Sequence, residues 1–296
     1  MDGRFKKTFG QHILKNPGIV TTMIDRAKIK PTDTVLEIGP GTGNLTLKLL
    51  DKCKRVVAIE KDRKIASDLI KRVGSRKTKL QLLIDDAIEV EYPYFDLCVS
   101  NTPYQISSPL VFKLLNYPFR ACVLMFQKEF ADRLCATAGT SNYCRLSVSV
   151  QIRATVTHVM KVSRKNFRPP PKVESSIVRI EPRRNKLDID LNEFDGMLRI
   201  CFSRKNKTIG SIFRQSTIKN LLFQNRDKIA DIPEEEDTNN ETVIEEKTKI
   251  TPQEEEVLNK VLEESKLEKE RAAKMIVEDF LFLLIKFKEA GISFTA

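Results

Sequence analysis

The stretch Val35-Leu36-Glu37-Ile38-Gly39-Pro40-Gly41-Thr42-Gly43-Asn44 decides the fold. Its apolar start is typical of a buried parallel strand, and the leucines from Leu45 to Leu50 recur at the spacing of an amphipathic helix. Glycines between a strand and a helix let a ligand approach the backbone, and the helix start presents free N–H donors. The G-x-G-x-G spacing differs from that of dinucleotide-binding loops, and the Gly-Lys-Ser/Thr of a phosphate loop is missing. The stretch therefore predicts an α/β protein with a ligand-binding loop of another kind.

Acidic residues follow the next two predicted strands. The strand over 55–59 ends at Glu60, 21 residues after Gly39, where a carboxylate can accept hydrogen bonds from ribose hydroxyls. The strand over 80–84 ends at Asp85-Asp86, and Asp86 is predicted to accept a hydrogen bond from an adenine amine. An isolated acid after a strand is more often a helix cap, so neither residue is diagnostic by itself.

A fourth apolar run, residues 95–100, closes on Asn101-Thr102-Pro103-Tyr104. In open α/β sheets, ligands bind beyond the carboxyl ends of the strands. The side-chain carbonyl of Asn101 and the backbone carbonyl of Thr102 can accept hydrogen bonds from one amino group. Pro103 stiffens the turn, and Tyr104 offers an aromatic face for stacking. The motif therefore suits chemistry on an aminated ring such as adenine; the alternative is an Asx-type turn with a packed tyrosine.

The four strand ends indicate one ligand when they are taken together. The glycine turn, Glu60, Asp86 and Asn101 follow successive strands of the same predicted sheet. S-adenosylmethionine needs anchors for its ribose and adenine but no cradle for a pyrophosphate. The combination therefore predicts S-adenosyl-L-methionine as the cofactor.

Charge indicates a polyanionic partner. The chain has 296 residues, room for one large α/β domain and a smaller one, and a formal net charge of +11. Residues 231–270 hold 15 acids and 5 bases, a net of −10, so the remainder carries +21. Such an excess is typical of RNA-binding surfaces, although some basic proteins bind no nucleic acid.

Several classes of protein are disfavoured. The six cysteines form no C-x-x-C pair, and the two histidines, His12 and His158, are far apart, so no metal site is expected. This cysteine usage fits a reduced intracellular compartment. No apolar run reaches the length of a membrane span, and the start of the chain does not read as a signal peptide.

The pattern predicts two domains, residues 1–184 and 185–296. A fifth strand is predicted over 121–126, a helix over 129–134, and extended stretches over 146–156 and 175–180 complete seven strands, the last pair antiparallel. The second domain is predicted to be small, helical and RNA-binding, ending in an amphipathic helix over 272–287. Its acidic stretch at about 231–252 has the composition of a flexible insertion.

Two further segments are predicted to bind RNA. The loop Asn166–Lys172 contains three prolines, which restrict it, and a phenyl face on Phe167 opposite Tyr104 would complete a stacking sandwich for an extruded adenine. The alternative is that Phe167 is a hydrophobic plug beneath a proline turn. The basic residues Arg204, Lys205 and Lys207 are predicted to contact RNA phosphates, the alternative being a solvated helix start.

Four stretches carry a resemblance to a known family: residues 9–14, 37–43, 101–109 and 166–173. Through them, and over nearly its whole length, the chain resembles the KsgA-type rRNA adenine N6,N6-dimethyltransferases, in particular their eukaryotic and archaeal branch. The resemblance implies a Rossmann-like seven-stranded methyltransferase sheet with a smaller C-terminal all-α domain. It places the cofactor contacts on His12, Leu14, Gly39, Glu60, Asp86 and Asn101, and Gly41 of the same loop is added to that site.

This chain departs from the family pattern at two of these positions. Thr102 stands where the family usually has Leu or Ile, but the contact expected there is a backbone carbonyl. Asp85-Asp86 replaces a usual Gly-Asp pair, and the contact is assigned to Asp86.

The resemblance also implies a function. It is the dimethylation of two adjacent adenosines near the 3′ end of small-subunit rRNA during small-subunit biogenesis. The implied partners are that rRNA and the pre-ribosomal particle, with no membrane partner. The protein is expected to be a monomer. The implied location is the nucleus and nucleolus, with the cytoplasm as a second location. One alternative is a ribosome-assembly factor whose rRNA binding matters more than its catalysis. Another is methylation of protein glutamine, which also uses Asn-Pro-Pro-Tyr-like motifs; the Phe167 loop and the basicity favour RNA.

Overall fold

The computed structural model describes residues 13–184, 188–224, 226–232 and 250–295. His12 and most of the predicted acidic insertion lie outside these residues. The chain divides into two compact units, residues 1–135 with 153–184, and residues 136–152 with 185–296. The division after residue 184 matches the sequence prediction. Residues 136–152 need a correction, because they belong to the second unit rather than the first.

The first unit is built on a seven-stranded sheet of order β4-β3-β2-β5-β6-β9-β7. Neighbours from β4 to β6 pair in parallel, and β9 pairs antiparallel with both β6 and β7, which confirms the predicted antiparallel final pair. Two short strands, β1 and β8, form a separate antiparallel pair that the sequence did not reveal. The strands are β1 Ile13–Leu14, β2 Thr34–Ile38, β3 Arg55–Ile59, β4 Leu80–Leu83, β5 Leu97–Asn101, β6 Ala121–Gln127, β7 Ala154–Val162, β8 Phe167–Arg168 and β9 Ser175–Pro182.

Helices of the first unit follow the strands in the order expected for a Rossmann-like fold. They are α1 Pro17–Ala27, α2 Asn44–Leu50, α3 Arg63–Val73, α4 Ser107–Leu114 and α5 Lys128–Cys135. Asp62 caps α3 by accepting hydrogen bonds from the backbone N–H groups of Lys64 and Ile65. Some of the apolar residues of β2, β3, β5 and β6 pack with α1, α2 and α3 into one core.

The extended stretch predicted over 146–156 is wrong in its first half. Arg145–Gln151 is a helix, α6, and the strand β7 begins only at Ala154. Val148 and Val150 are β-branched and alternate with serines, which imitates a strand. In the structure, Ser147 to Val150 are all buried and Val148 packs in the core of the second unit, and this packing overrides the local preference.

The second unit is helical, and no strand occurs in its described residues. Besides α6 it contains α7 Leu191–Ser203, α8 Ile209–Phe213, α9 Ser216–Phe223, α10 Pro252–Ser265 and α11 Val277–Glu289. The helix predicted over 272–287 starts later, at Val277, because Ala272–Lys274 form a 3-10 turn. Four large apolar side chains of the stretch predicted to be an amphipathic helix are buried, namely Met275, Phe280, Leu284 and Phe287.

Within the residues that the structure describes, no helix is both long enough and apolar enough to span a membrane.

Candidate active site

A cavity of about 820 Å³ opens beyond the carboxyl ends of the parallel strands of the first unit. Its walls come from the glycine loop, the ends of β3 and β4, and the segment after β5. Most residues that the sequence predicted for the site line this cavity, namely Leu14, Gly39, Gly41, Glu60, Asp86, Asn101, Thr102, Pro103 and Tyr104. Residues up to 90 positions apart in the chain are therefore brought together as predicted.

The glycine loop depends on its glycines for conformation and for close approach. Gly39, Gly41 and Gly43 have φ values of +64°, +55° and +83°, which other residues rarely adopt. A Cβ on Gly43 would lie 2.5 Å from the side chain of Leu69 on α3, and one on Gly39 would lie 3.1 Å from Pro103. Gly43 therefore permits packing against α3, and Gly39 permits the loop after β5 to approach.

Glu60 is held between the glycine loop and the start of α3. Its carboxylate accepts hydrogen bonds from the backbone N–H of Gly41 at 3.3 Å and of Asp62 at 3.1 Å. The side chain is buried, and this burial raises the pKa of Glu60 although the backbone donors act against the rise. The carboxylate is thus pre-positioned on the cavity wall, where it suits a pair of ribose hydroxyls.

Asp86 is held by different partners. Its Oδ1 accepts from the N–H of Ile88 at 2.8 Å, and its Oδ2 accepts from Lys61 Nζ at 2.7 Å. The hydrogen bond from Lys61 is the main reason that the pKa of Asp86 is lowered. Asp86 is therefore a charged acceptor at neutral pH. Sequence reasoning missed Lys61, although it directly follows Glu60.

The Asn101–Tyr104 segment is fixed by hydroxyl groups. The N–H and the Oγ1 of Thr102 both donate to the carbonyl of Met125 on β6, at 3.3 and 2.6 Å. The Thr102 side chain is thus turned into the sheet, which fits the expectation that its backbone, not its side chain, faces a ligand. The Tyr104 hydroxyl lies 2.6 Å from Ser175 Oγ at the start of β9.

Ser100 sets the junction between the two loops. The N–H of Ile38 donates to Ser100 Oγ at 2.7 Å, and the Ser100 hydroxyl donates to the carbonyl of Ile38 at 2.6 Å. The backbone pairing of β2 with β5 covers Val35–Leu97 and Leu36–Cys98. Beyond these pairs, the side chain of Ser100 provides the hydrogen-bond partner for the backbone of Ile38. The residues that follow, Gly39 and Asn101, begin the two loops that meet at the cavity.

Glu37 is a cavity residue that sequence reasoning did not assign. It lies inside β2, is 2% exposed, and lines the cavity. Its Oε2 has no hydrogen-bond partner among the described residues. Burial raises the pKa of Glu37 to about 8, and the charge of Glu60 adds to the rise. The signal in the sequence was an acid within the apolar run of the fold-deciding stretch.

The predicted stacking face on Phe167 is wrong for this structure. The ring is 2% exposed and packs in the core of the first unit, and it is not among the residues lining the cavity. Pairing of Leu14 with Phe167 in β1 and β8 draws the residue inward. The alternative reading, a hydrophobic plug beneath the proline loop, is the one the structure shows.

The predicted phosphate-binding residues lie in the second unit, in the connection between α7 and α8. Arg204 and Lys207 are exposed and Lys205 is half-buried. The N–H of Lys207 donates to the carbonyl of Arg204 at 2.8 Å, so the segment is a turn rather than a helix start. Its RNA contacts stay a prediction.

The cavity residues fit S-adenosylmethionine. Glu60 and Asp86 offer carboxylate acceptors for a ribose and an adenine amine, and the glycine loop offers close backbone approach. The buried Oε2 of Glu37, which has no hydrogen-bond partner among the described residues, suits a polar group on the ligand. Among the described residues, no group of His, Cys, Asp and Glu is arranged to hold a metal ion.

Comparison with known proteins gives consistent relatives. Residues 3–251 match the family model described as "Ribosomal RNA adenine dimethylase". The dimethyladenosine transferase of Yarrowia lipolytica is 50% identical over 289 residues, covering 96% of this chain and 89% of that protein. The dimethyladenosine transferase of Saccharomyces cerevisiae is 48% identical over 296 residues, covering 99% of this chain and 91% of that protein.

Solved structures agree with the fold. A crystal structure of a dimethyladenosine transferase from Plasmodium falciparum superposes with a TM-score of 0.82 at 41% identity, covering 96% of this chain and 100% of that one. The 23S rRNA methyltransferase ErmE superposes with a TM-score of 0.65 at 23% identity, covering 93% of this chain and 99% of that one. The second comparison supports the fold alone.

Proposed function

Because the chain belongs to the ribosomal RNA adenine dimethylase family, we propose that it dimethylates two adjacent adenosines near the 3′ end of small-subunit rRNA. It is an S-adenosylmethionine-dependent rRNA adenine dimethyltransferase. Beyond this activity, the proposal specifies the substrate and places the reaction on a pre-ribosomal particle during small-subunit biogenesis. It also specifies that the protein acts as a monomer in the nucleus and nucleolus.

One observation carries the proposal: Asn101 and Tyr104 line the same cavity as Glu60 and Asp86. The first pair suits an aminated base, and the second pair suits the ribose and adenine of the cofactor. A methyl donor and an adenine amine bound to these residues would therefore lie in the same cavity. Holding both reactants in one geometry supplies much of the rate enhancement in such a transfer.

The N6 amine of adenine is a poor nucleophile, because its lone pair is delocalised into the ring. When Asn101 Oδ1 and the Thr102 carbonyl accept its two N–H bonds, the nitrogen is favoured in a pyramidal form with its lone pair aimed at the donor. These acceptors bind more strongly as positive charge develops on nitrogen, so they stabilise the transition state more than the ground state. S-adenosylmethionine supplies the methyl group from its sulfonium.

No basic residue is required before attack, since the methylated ammonium product is acidic enough to lose a proton afterwards. The first product keeps one N–H bond, which allows a second transfer in the same cavity. A base within a helix must leave its stack to enter the cavity, and Tyr104 provides a face for the extruded ring. Burial of Phe167 leaves this stacking to Tyr104 in the present structure.

The experiment is depletion of the protein in cells, followed by mass spectrometry of rRNA nucleosides. Dimethyladenosine in small-subunit rRNA is expected to disappear and to return with the wild-type chain but not with Asn101→Ala. Asn192→Ala, which alters an exposed asparagine on α7, is the matched control and should restore the modification. If Asn101→Ala restores small-subunit production without the modification, binding during assembly is the more important role in cells. Persistence of the modification after depletion would contradict the proposed substrate.

A further inference from the structure

We propose that Ser175 is a positioning residue for methyl transfer, because its hydroxyl fixes the ring of Tyr104 against which the target base stacks. The inference rests on the proposed function, in which Tyr104 receives the adenine. Ser175 is not among the residues that line the cavity, so any effect on the reaction passes through Tyr104.

Ser175 is a rigid anchor. It is fully buried, at 0% exposure, and is the first residue of β9. Its backbone is in register with Gln127 on β6 and Val162 on β7, so the strand has a partner on each side at this point. The carbonyl of the preceding Glu174 accepts from the N–H of Lys128 at 2.9 Å. The Ser175 hydroxyl therefore has a position that the sheet determines.

Tyr104 belongs to a less constrained segment. It starts a 3-10 turn, Tyr104–Ile106, that follows Pro103 and precedes α4. Its carbonyl accepts from Ser107 Oγ at 2.8 Å, which holds the backbone, whereas the 2.6 Å contact with Ser175 holds the far end of the ring. A hydrogen bond at the phenol oxygen fixes where the far end of the ring lies. That oxygen lies on the axis of ring rotation, so the plane of the ring is favoured only because a phenolic O–H prefers to lie in it.

The hydrogen bond between the hydroxyls of Tyr104 and Ser175 is also expected to persist across the working pH range. Burial raises the pKa of Tyr104, which keeps the phenol protonated and able to share a hydrogen with Ser175. The pair lies 71 residues apart in the sequence and joins the segment after β5 to the strand that follows the proline loop. The adjacent Ser176 is equally buried, but its Oγ is 3.3 Å from Nε2 of His158 and so serves a different neighbour.

The test is a double-mutant cycle with Ser175→Ala, Tyr104→Phe and both together, with Ser176→Ala as the matched control. Ser175→Ala and Tyr104→Phe each remove one hydroxyl of the pair, and Ser176→Ala removes a neighbouring hydroxyl outside the pair. Each substitution changes the volume of the side chain little. Loss of a neutral hydrogen bond predicts that each single variant lowers kcat about 3- to 10-fold, with KM for S-adenosylmethionine within about twofold of wild type. The double variant is expected to match the single variants, because both remove the same interaction. Ser176→Ala is expected to keep the wild-type kcat.

A second readout follows the stacking itself. An RNA oligonucleotide with 2-aminopurine at the target position reports stacking by fluorescence, and the chain has no tryptophan to interfere. Quenching on binding is expected to be weaker in Ser175→Ala and Tyr104→Phe than in wild type and Ser176→Ala. A merely structural role for Ser175 would not change quenching in the folded variant.

Additive losses in the double variant, or a wild-type kcat in Ser175→Ala, would overturn the inference. If Ser175→Ala does not fold, Tyr104→Phe tests the same hydrogen bond from its other end, and a wild-type kcat there would overturn it equally. Tyr104→Ala separates this inference from the proposed function. Full activity in Tyr104→Ala would remove Tyr104 from the site, whereas loss of activity there with a normal Ser175→Ala would reject the positioning role alone.

Discussion

The two walls of the cavity are built from different chemistry. The cofactor wall, formed by Gly39, Gly41, Glu60 and Asp86, holds its carboxylates with backbone N–H groups and a lysine. The target wall, formed by residues 101–104, is neutral and is held by hydroxyls that bond to neighbouring strands. The cofactor wall therefore acts through charged groups, and the target wall acts through the exact positions of neutral groups. Binding of the cofactor should respond to charge, whereas turnover should respond to small changes in position.

The largest expected effect tests the target wall. Asn101→Ala should lower kcat by about 100-fold or more, because its carbonyl stabilises charge that develops only during transfer. The dissociation constant of S-adenosylmethionine should change by less than about threefold, on the scale of a weak contact. Transfer of tritiated methyl groups to immature small subunits measures the first quantity, and calorimetry measures the second. Equal turnover in variant and wild type would remove Asn101 from catalysis.

A substitution in the cofactor wall should weaken cofactor binding more than it lowers kcat. Glu60→Ala removes a charge-assisted contact to the ribose diol, and the dissociation constant should rise about tenfold or more. At saturating cofactor, kcat should stay within about threefold of wild type, since uniform binding affects KM rather than kcat. Glu89→Ala, which removes an exposed carboxylate outside the cavity, is the control. Unchanged affinity in Glu60→Ala would exclude the ribose role.

Glu37, which lines the same cavity, makes the stability of the fold depend on pH. Its pKa is raised from 4.5 to about 8, so between these values the unfolded chain is ionised at this position while the folded chain keeps the proton. Stability contributed by the neutral form is therefore lost as pH rises, by up to about 1.4 kcal/mol per pH unit.

Glu37→Gln should cancel this loss. As pH rises from roughly 6 to 8, the free energy of unfolding of the variant should increase relative to that of wild type by about 1–3 kcal/mol. Urea denaturation at a series of pH values measures the difference. Parallel pH profiles would show that Glu37 is ionised in the fold.

The smallest expected effect concerns Lys61. Its side chain is largely exposed, so the ion pair with Asp86 contributes little at moderate salt. Lys61→Gln should change the dissociation constant of the cofactor by less than about threefold near neutral pH. Because Lys61 lowers the pKa of Asp86, its removal should move the loss of binding at acidic pH to higher pH. An unshifted acid limb would show that Asp86 is not the titrating acceptor.

Local patterns in the sequence predicted the strand ends well. The glycine loop, Glu60, Asp86 and Asn101 each follow an apolar run, and parallel strands bring their carboxyl ends to one edge of the sheet. Periodicity also identified the buried side of the last helix, where Phe280, Leu284 and Phe287 pack. Such features depend on neighbouring residues, and the sequence shows those directly.

The errors arose where distant residues decide the outcome. Val148 and Val150 imitate a strand, but their segment is a buried helix in which Val148 packs in the core of the second unit. Phe167 was predicted to stack on the target base, but pairing with Leu14 in another part of the chain draws it into the core. The contact between Tyr104 and Ser175 joins residues 71 positions apart and leaves no local pattern. These features depend on tertiary packing, which no local periodicity encodes.

The central claim is that one cavity brings the cofactor and an rRNA adenine together. The most direct measurement incubates the purified chain with immature small subunits and methyl-labelled S-adenosylmethionine, followed by mass spectrometry of the nucleosides. We predict that the label appears in N6,N6-dimethyladenosine from the 3′ region of small-subunit rRNA and that Asn101→Ala transfers it at least about 100-fold more slowly. Label in another nucleoside or in protein, or equal transfer by the variant, would contradict the account.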